Sequence, residues 1–206
     1  MIKVITIITK FIVTALIALL FSSCHHVFTI GDGIKGSGKI TTETRSVTQD
    51  FKSIEVSSGI KVIVEQSNTQ LITVETDENL QKHIITKVEN GVLIIECDES
   101  YNSESPVVNV KMPVINRLSA SSGSEIANSK TLISDKIDAK SSSGSTININ
   151  VEADLITLES SSGSTTSVYP IIKLNAKASS GSSIYYSKAP KTISKEESSG
   201  GSVKQR

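Results

Sequence analysis

The side chains best suited to covalent chemistry in this sequence of 206 residues are its serines and its three histidines. A serine hydroxyl becomes a nucleophile only when a nearby base accepts its proton, and His83 is the only histidine outside the adjacent pair His25 and His26. Two adjacent histidines without a third ligand are weak support for a metal site. We therefore predict no catalytic, cofactor-binding or metal-binding residues, and no cofactor.

Carboxylates are the second group that could do chemistry. A carbohydrate-active β-helix enzyme would use clustered carboxylates to hold calcium and a basic residue to abstract a proton. Asp135, Asp138 and Asp154 are scattered through the second half of the chain, without an arginine cluster to face them. We expect a protein that is not an enzyme, and keep this lyase-like enzyme as the alternative.

The thiol of Cys24 has a clear sequence context. Two lysines near the start precede an apolar run with one threonine at 11–21 and two small serines, which is the layout of an export signal. The run is too short for a comfortable membrane span. With the cysteine that follows, LFSSC is similar to a bacterial lipoprotein signal. We predict a signal peptide at 1–23 and a tether at 24–38 whose Cys24 carries lipid; a simple secretory signal is the alternative.

Composition limits the partners of the mature chain. Removal of 1–23 takes away two lysines and no acids, which leaves 19 basic and 21 acidic residues and a net charge of −2. No basic block is present, so nucleic acid is not an expected partner. Besides Cys24 the chain contains only Cys97, which should pack as a small apolar residue.

The elements that position these residues are predicted to be strands. From residue 39 onward, apolar and polar residues alternate and valine, isoleucine and threonine are frequent, a pattern typical of β-structure. Asn90-Gly91 lies between two such runs and predicts a tight hairpin, because both residues tolerate positive φ. We predict a single domain at 39–206, with an N-terminal β part at 39–113 that contains this hairpin.

Serine-glycine clusters repeat along the chain. The last five of their glycines are 21, 19, 18 and 19 residues apart; the six are Gly59, Gly123, Gly144, Gly163, Gly181 and Gly200. Before each glycine, alternate positions change from large to small, as in Ile156, Leu158 and Ser160. A flexible linker has no reason to keep that period. The repeats predict an all-β fold, a right-handed parallel β-helix or β-solenoid with coils of about 18–21 residues over 114–206.

Stacked coils would place equivalent residues about 4.8 Å apart. The outward residues four positions before successive glycines form one row across the coils. They are Lys140, Glu159, Lys177 and Glu196, so neighbouring charges in the row would alternate in sign. The serine directly before each glycine (Ser143, Ser162 and Ser180) is predicted to point inward at a narrow corner. In the last copy, Lys195 and Glu197 occupy inward positions, which predicts a polar cap on the terminal coil.

Two tyrosines are candidate ligand contacts. Tyr169 and Tyr185 fall at even positions after their glycines, where side chains should point outward. An exposed tyrosine ring can stack on a sugar, so both are candidate glycan contacts.

The segment GSGKITTETRSVTQDFKSIEVSSGIKVIVEQ, followed by VNVKMPVINRLSASSGSEI, resembles the bacterial family called putative auto-transporter adhesin, head GIN domain. The resemblance spans about 36–200. Lys61 stands where the asparagine of the family name would be expected. The resemblance implies an exported β-helix-like protein of the cell envelope, an adhesin-like role and no established catalytic residues.

The sequence thus predicts a non-enzymatic envelope lipoprotein whose solenoid surface binds a glycan or another envelope protein. Its lipid would make the membrane a further partner, and the outer membrane or cell surface its location, with the periplasmic face left open. The remaining alternative is an envelope scaffold that binds no small ligand.

Overall fold

A computed structural model describes residues 33–169 and 172–206. The predicted signal peptide 1–23, the lipid attachment site Cys24 and the histidine pair lie outside the described residues. The described chain is all-β, with one short 3-10 helix at Gln81–His83. The strands are β1 Ile34–Lys35, β2 Ile40–Arg45, β3 Ser53–Val56, β4 Lys61–Gln66, β5 Leu71–Asp77, β6 Ile84–Glu89, β7 Val92–Cys97, β8 Tyr101–Asn102, β9 Val107–Met112, β10 Arg117–Ala120, β11 Glu125–Asn128, β12 Leu132–Ser141, β13 Thr146–Ser160, β14 Thr165–Tyr169, β15 Lys173–Ala178, β16 Ser183–Tyr186, β17 Thr192–Glu197 and β18 Ser202–Gln205.

Sixteen of these strands form one large mixed sheet with a nearly closed, barrel-like shape. One ladder runs β2-β5-β9-β4-β11-β13-β14-β16-β18, and a second runs β6-β7-β3-β10-β12-β13-β15-β17. Both ladders contain the long strand β13, and their buried side chains form one continuous hydrophobic cluster. Strands β1 and β8 make a separate parallel pair.

The N-terminal part contains the antiparallel pairs of the sheet. The predicted hairpin is confirmed: β6 and β7 pair antiparallel, with Asn90 at φ 52° and Gly91 at φ 76° between them. Strand β5 also pairs antiparallel, with β2 on one side and β9 on the other. The sheet is therefore mixed and not parallel throughout. Its antiparallel pairs all lie within the predicted N-terminal β part at 39–113, and the described strands of 114–206 pair in parallel.

The predicted outward row is confirmed in the second half of the chain. Lys140 pairs with Glu159, Glu159 with Lys177, and Lys177 with Glu196, all across parallel strands. Lys140 Nζ lies 3.6 Å from Glu159 Oε2, and Lys177 Nζ lies 2.6 Å from Glu196 Oε1. Successive repeats therefore lie side by side in the register that the sequence spacing predicted.

The corners between strands are built by serine-glycine pairs in which both residues have positive φ. Ser143 has φ 51° and Gly144 φ 72°, and the Gly144 amide donates a 3.0 Å hydrogen bond to the Ser162 carbonyl of the next repeat. The other corners follow the same pattern, at Ser58-Gly59, Ser122-Gly123, Ser162-Gly163, Ser180-Gly181 and Ser199-Gly200.

The expectation that Ser143, Ser162 and Ser180 point inward is wrong, because all three are exposed. Two successive residues of positive φ reverse the chain and interrupt the strand alternation, so the serines on either side of the turn are buried instead. In the repeat of Gly144 these are Ser141 and Ser145. The corner is also less crowded than expected, since a Cβ at Gly163 would meet no atom within 4 Å.

The polar cap predicted for the last repeat is confirmed. Lys195 pairs with Ala176 and Glu197 with Ala178, both of which are buried. Lys195 Nζ lies 4.9 Å from the centroid of the Tyr186 ring and donates a 3.1 Å hydrogen bond to the Val203 carbonyl. Glu197 Oε1 accepts a 2.5 Å hydrogen bond from the Val203 amide. Charged side chains thus cover the end of the apolar core.

Candidate binding surface

The two tyrosines lie on the outer face, as their positions predicted. Tyr169 is 39% exposed at the end of β14, and Tyr185 is half-buried on β16. Tyr185 pairs with Ser167, which places Tyr169 two residues farther along the neighbouring strand. The Arg206 guanidinium lies 3.4 Å from the centroid of the Tyr185 ring and covers one face of it. A sugar could therefore stack on Tyr185 only from the other face.

A groove of about 960 Å³ is lined by residues of the paired strands β12 and β13 and by residues of the loop before β10. We call it the acidic groove; it is lined by Gln66, Val114, Asn116, Ile133, Ser134, Asp135, Lys136, Asp138, Glu152, Ala153, Asp154, Ile172 and Lys188. Three of its apolar side chains are unusually accessible: Ile133 is 67% exposed, Ile172 45% and Val114 42%. Sequence periodicity did not identify this groove, because Ile133 and Ile172 look like ordinary strand residues.

The backbone of Ile133 is held by the side chain of Gln66. The Ile133 amide donates a 2.8 Å hydrogen bond to Gln66 Oε1, and Gln66 Nε2 donates to the Ile133 carbonyl at 3.0 Å. Gln66 Nε2 also donates to the Pro113 carbonyl at 3.1 Å. The amide group of one side chain therefore ties the Ile133 backbone to that of Pro113 beside the groove.

The structure brings the three aspartates together. Asp135, Asp138 and Asp154 all line the acidic groove, although the sequence had indicated that they were scattered. Lys136 Nζ lies 3.3 Å from Asp138 Oδ2 and balances that carboxylate. Within 33–169 and 172–206, no group of three or more histidine, cysteine or acidic side chains converges as a metal site would require.

The other polar side chains considered from the sequence are engaged in hydrogen bonds, core packing or ion pairs. His83 Nδ1 lies 2.9 Å from Asp98 Oδ1, while the buried hydroxyl of Ser141 bonds to those of Ser160 and Ser164. Burial raises the pKa of the Cys97 thiol, which packs partly against the core. Lys61, in the place of the asparagine of the family name, forms a 3.2 Å ion pair with Glu125.

More than half of the chain matches a known protein family. A family model described as "Putative auto-transporter adhesin, head GIN domain" matches residues 50–167, which is more than half of the chain. The chain belongs to this family. The match to the head GIN domain includes Phe51, Ile54, Gly59 and Pro113 and three later serine-glycine corners, so it confirms the resemblance found in the sequence.

Solved structures share the fold of this head GIN domain. A putative adhesin from Bacteroides fragilis is 16% identical with a TM-score of 0.59, covering 84% of this chain and 100% of that one. A putative adhesin from Parabacteroides distasonis is 18% identical with a TM-score of 0.56, covering 84% and 99%. A protein of the same species described as a putative lipid binding protein is 17% identical with a TM-score of 0.56 and the same coverage. At these identities the likeness concerns the fold alone.

No curated protein matches the chain. Across the part of the head GIN domain protein that the structure describes, no helix combines the length and the apolar character that a membrane crossing requires.

Proposed function

We propose that this head GIN domain protein is a non-enzymatic lipoprotein of the cell envelope that binds a glycan or another envelope protein through its β-solenoid surface. The observation that carries the proposal is the register between repeats. Outward residues such as Lys140, Glu159 and Lys177 lie side by side, so the repeats form one continuous exposed face. Such faces suit contact with an extended partner.

The parallel ladders support a solenoid. Strands β10, β12, β13, β15 and β17 pair in parallel on one side, and β11, β13, β14, β16 and β18 on the other. The corner hydrogen bond of Gly144 recurs at the other corners; for example, the Gly163 amide donates to the Ser180 carbonyl at 3.0 Å. A right-handed parallel solenoid with an antiparallel N-terminal part accounts for both features.

Lipid attachment at Cys24 would hold the domain close to a membrane. Strand β1 begins ten residues after Cys24. An extended chain of that length spans at most about 35 Å. We propose an exported protein at the outer membrane or cell surface, and the adhesin name of its family supports that location. The periplasmic face of the membrane is equally compatible with this tether.

A carbohydrate-active enzyme is the alternative. The three aspartates of the acidic groove favour it, but the groove offers only Lys136 and Lys188 as basic groups within the described residues. Lys136 is engaged by Asp138, so it is not placed to abstract a proton. These surroundings support a binding role over catalysis.

The direct test is a glycan panel applied to the purified full chain, together with co-purification from membranes. Tyr169→Ala with Tyr185→Ala should weaken glycan binding if these rings stack on sugar. Glu104→Gln, an exposed substitution in the N-terminal part of the domain, should leave binding unchanged. Cleavage of a bound polysaccharide would contradict the non-enzymatic proposal, and the absence of any glycan or envelope partner would favour a scaffold.

A further inference from the structure

Charged residues that face each other across parallel strands have opposite signs in every pair of the described ladders. These pairs are Lys61–Glu125, Glu65–Lys111, Arg117–Asp138, Lys140–Glu159, Glu159–Lys177 and Lys177–Glu196. Opposite signs are expected at these positions, because like charges directly opposite each other in a sheet are destabilising. A like-charged pair therefore needs an explanation.

The acidic groove brings two like charges near each other outside these pairs. Ser134 pairs with Ala153 and Lys136 with Leu155. Asp135 and Asp154 therefore lie between these two pairs on neighbouring strands, although the ladder does not pair them with each other. Both aspartates are exposed, and within the described residues neither belongs to an ion pair. Glu152, which pairs with Ile133, adds a third carboxylate at the same place. A cationic group bound between these carboxylates would relieve their repulsion.

The same groove exposes aliphatic surface. Ile133, Ile172 and Val114 are among the most accessible large apolar side chains of the described chain. The hydrogen bonds of Gln66 hold the Ile133 backbone in place in the structure without a ligand. A preformed apolar surface lowers the cost of ordering on binding. The groove is thus suited to a ligand that carries both positive charge and aliphatic groups.

We propose that the acidic groove binds an extended peptide segment of a partner protein that carries both lysine or arginine residues and aliphatic residues on one face, at every second position. Its cations contact Asp135, Asp154 and Glu152, and its aliphatic side chains cover Ile133 and Val114. The groove reaches across at least three repeats, or about 10–14 Å, which four or five extended residues would fill. This proposal rests on the proposed binding function and names the chemistry of the partner.

Other ligands fit the groove less well. Anionic polysaccharides and lipids with phosphate headgroups would be repelled by the carboxylates. Uncharged sugars favour aromatic rings, and the described lining of the groove contains none.

The test is fluorescence anisotropy with the purified full chain and a fluorescein-labelled nine-residue peptide that has lysine and leucine in turn at its odd positions and serine at its even positions. A glutamate–leucine peptide, with glutamate in place of each lysine, and a lysine–serine peptide, with serine in place of each leucine, serve as comparisons. The lysine–leucine peptide should bind most tightly, and its affinity should fall as salt is raised. Asp135→Asn with Asp154→Asn should weaken binding about tenfold. Ile133→Ser should also weaken it.

The matched control is Glu99→Gln with Glu104→Gln, which removes two exposed carboxylates outside the groove. Equal affinity of the two double variants would overturn the proposal, as would a glutamate–leucine peptide that binds as well as the lysine–leucine peptide. Binding of phosphatidylglycerol vesicles that Ile133→Ser abolishes, without peptide binding, would overturn it in favour of a lipid. If the peptide fails while glycans or envelope proteins still bind, the groove proposal alone is wrong and the binding function stands.

Discussion

The Ser141 hydroxyl lies 2.9 Å from the Ser160 hydroxyl of the next repeat, and both are buried. Thr166 Oγ1 lies 2.8 Å from Ser141 Oγ and 2.9 Å from Ser160 Oγ, and Ser164 Oγ lies 2.8 Å from Ser141 Oγ. Each hydroxyl thus finds a partner without reaching solvent. Buried polar groups are tolerated when they are hydrogen-bonded, so serine can line the narrow end of this core.

Ser141→Ala should destabilise the domain by roughly 1–3 kcal/mol, because it removes a central member of this buried network. Ser143→Ala, two residues away on the exposed side of the corner, should have a much smaller effect. Urea unfolding followed by circular dichroism measures both. Equal losses for the two variants would show that the buried network does not stabilise the core.

Much of the fold could be predicted from the sequence, because strand alternation places Ile156 and Leu158 inward and the repeat length places Lys140 beside Glu159. The orientation of the corner serines could not, since alternation applies to strands and not to a turn with two positive φ values. The segments of β2 and β5 were predicted to be strands, but their antiparallel pairing was not, for a related reason. Alternation indicates which face is buried, but it carries no information on strand direction.

The candidate groove was only partly accessible to sequence reasoning. Asp135 and Asp154 are 19 residues apart, which is one repeat, so their proximity on neighbouring strands could have been found by comparing positions five residues before Lys140 and Glu159. The exposure of Ile133 could not have been found, because the alternation of buried and exposed residues changes phase between Leu132 and Ile137, both of which are buried.

Gly163→Val should destabilise the domain by roughly 1–3 kcal/mol, because Gly163 has φ +70° and a β-branched residue resists that conformation. The penalty comes from the backbone, since the space around a Cβ is open. Gly163→Asn should therefore cost less, as asparagine tolerates positive φ. Thermal unfolding compares the two.

A second control for the corner is Glu159→Lys. It places three lysines in one row on a solvated face, so it should cost much less than Gly163→Val, with a loss that shrinks in high salt. If Glu159→Lys and Gly163→Val destabilise the domain equally, the glycine corner is not the constraint described above.

Asp135→Asn should slightly raise the melting temperature of the ligand-free protein, because it removes repulsion from Asp154. Asp138→Asn is the matched control with the opposite sign: Asp138 pairs with Lys136 and faces Arg117, so its loss should lower the melting temperature. Both shifts should diminish in high salt. A lower melting temperature for Asp135→Asn would indicate that this carboxylate is already compensated.

Cys24→Ser should prevent lipidation and release the protein from the membrane fraction. Stable anchoring normally needs more than one acyl chain, which the lipoprotein pathway would supply at this cysteine. Fractionation of cells, with metabolic labelling by a radioactive fatty acid, measures both effects. Retention of the unlabelled serine variant in the membrane fraction would contradict the lipid anchor.

Cysteine cross-linking tests the stacked register most directly. In a Cys24→Ser, Cys97→Ser background, Lys140→Cys with Glu159→Cys should form a disulfide on mild oxidation, because paired residues lie about 5 Å apart. Lys140→Cys with Lys177→Cys should not, because Glu159 lies between them and a span of about 10 Å exceeds disulfide reach. A rapid bridge in the first variant and none in the second is the predicted result. A bridge between positions 140 and 177, or none between 140 and 159, would contradict the register.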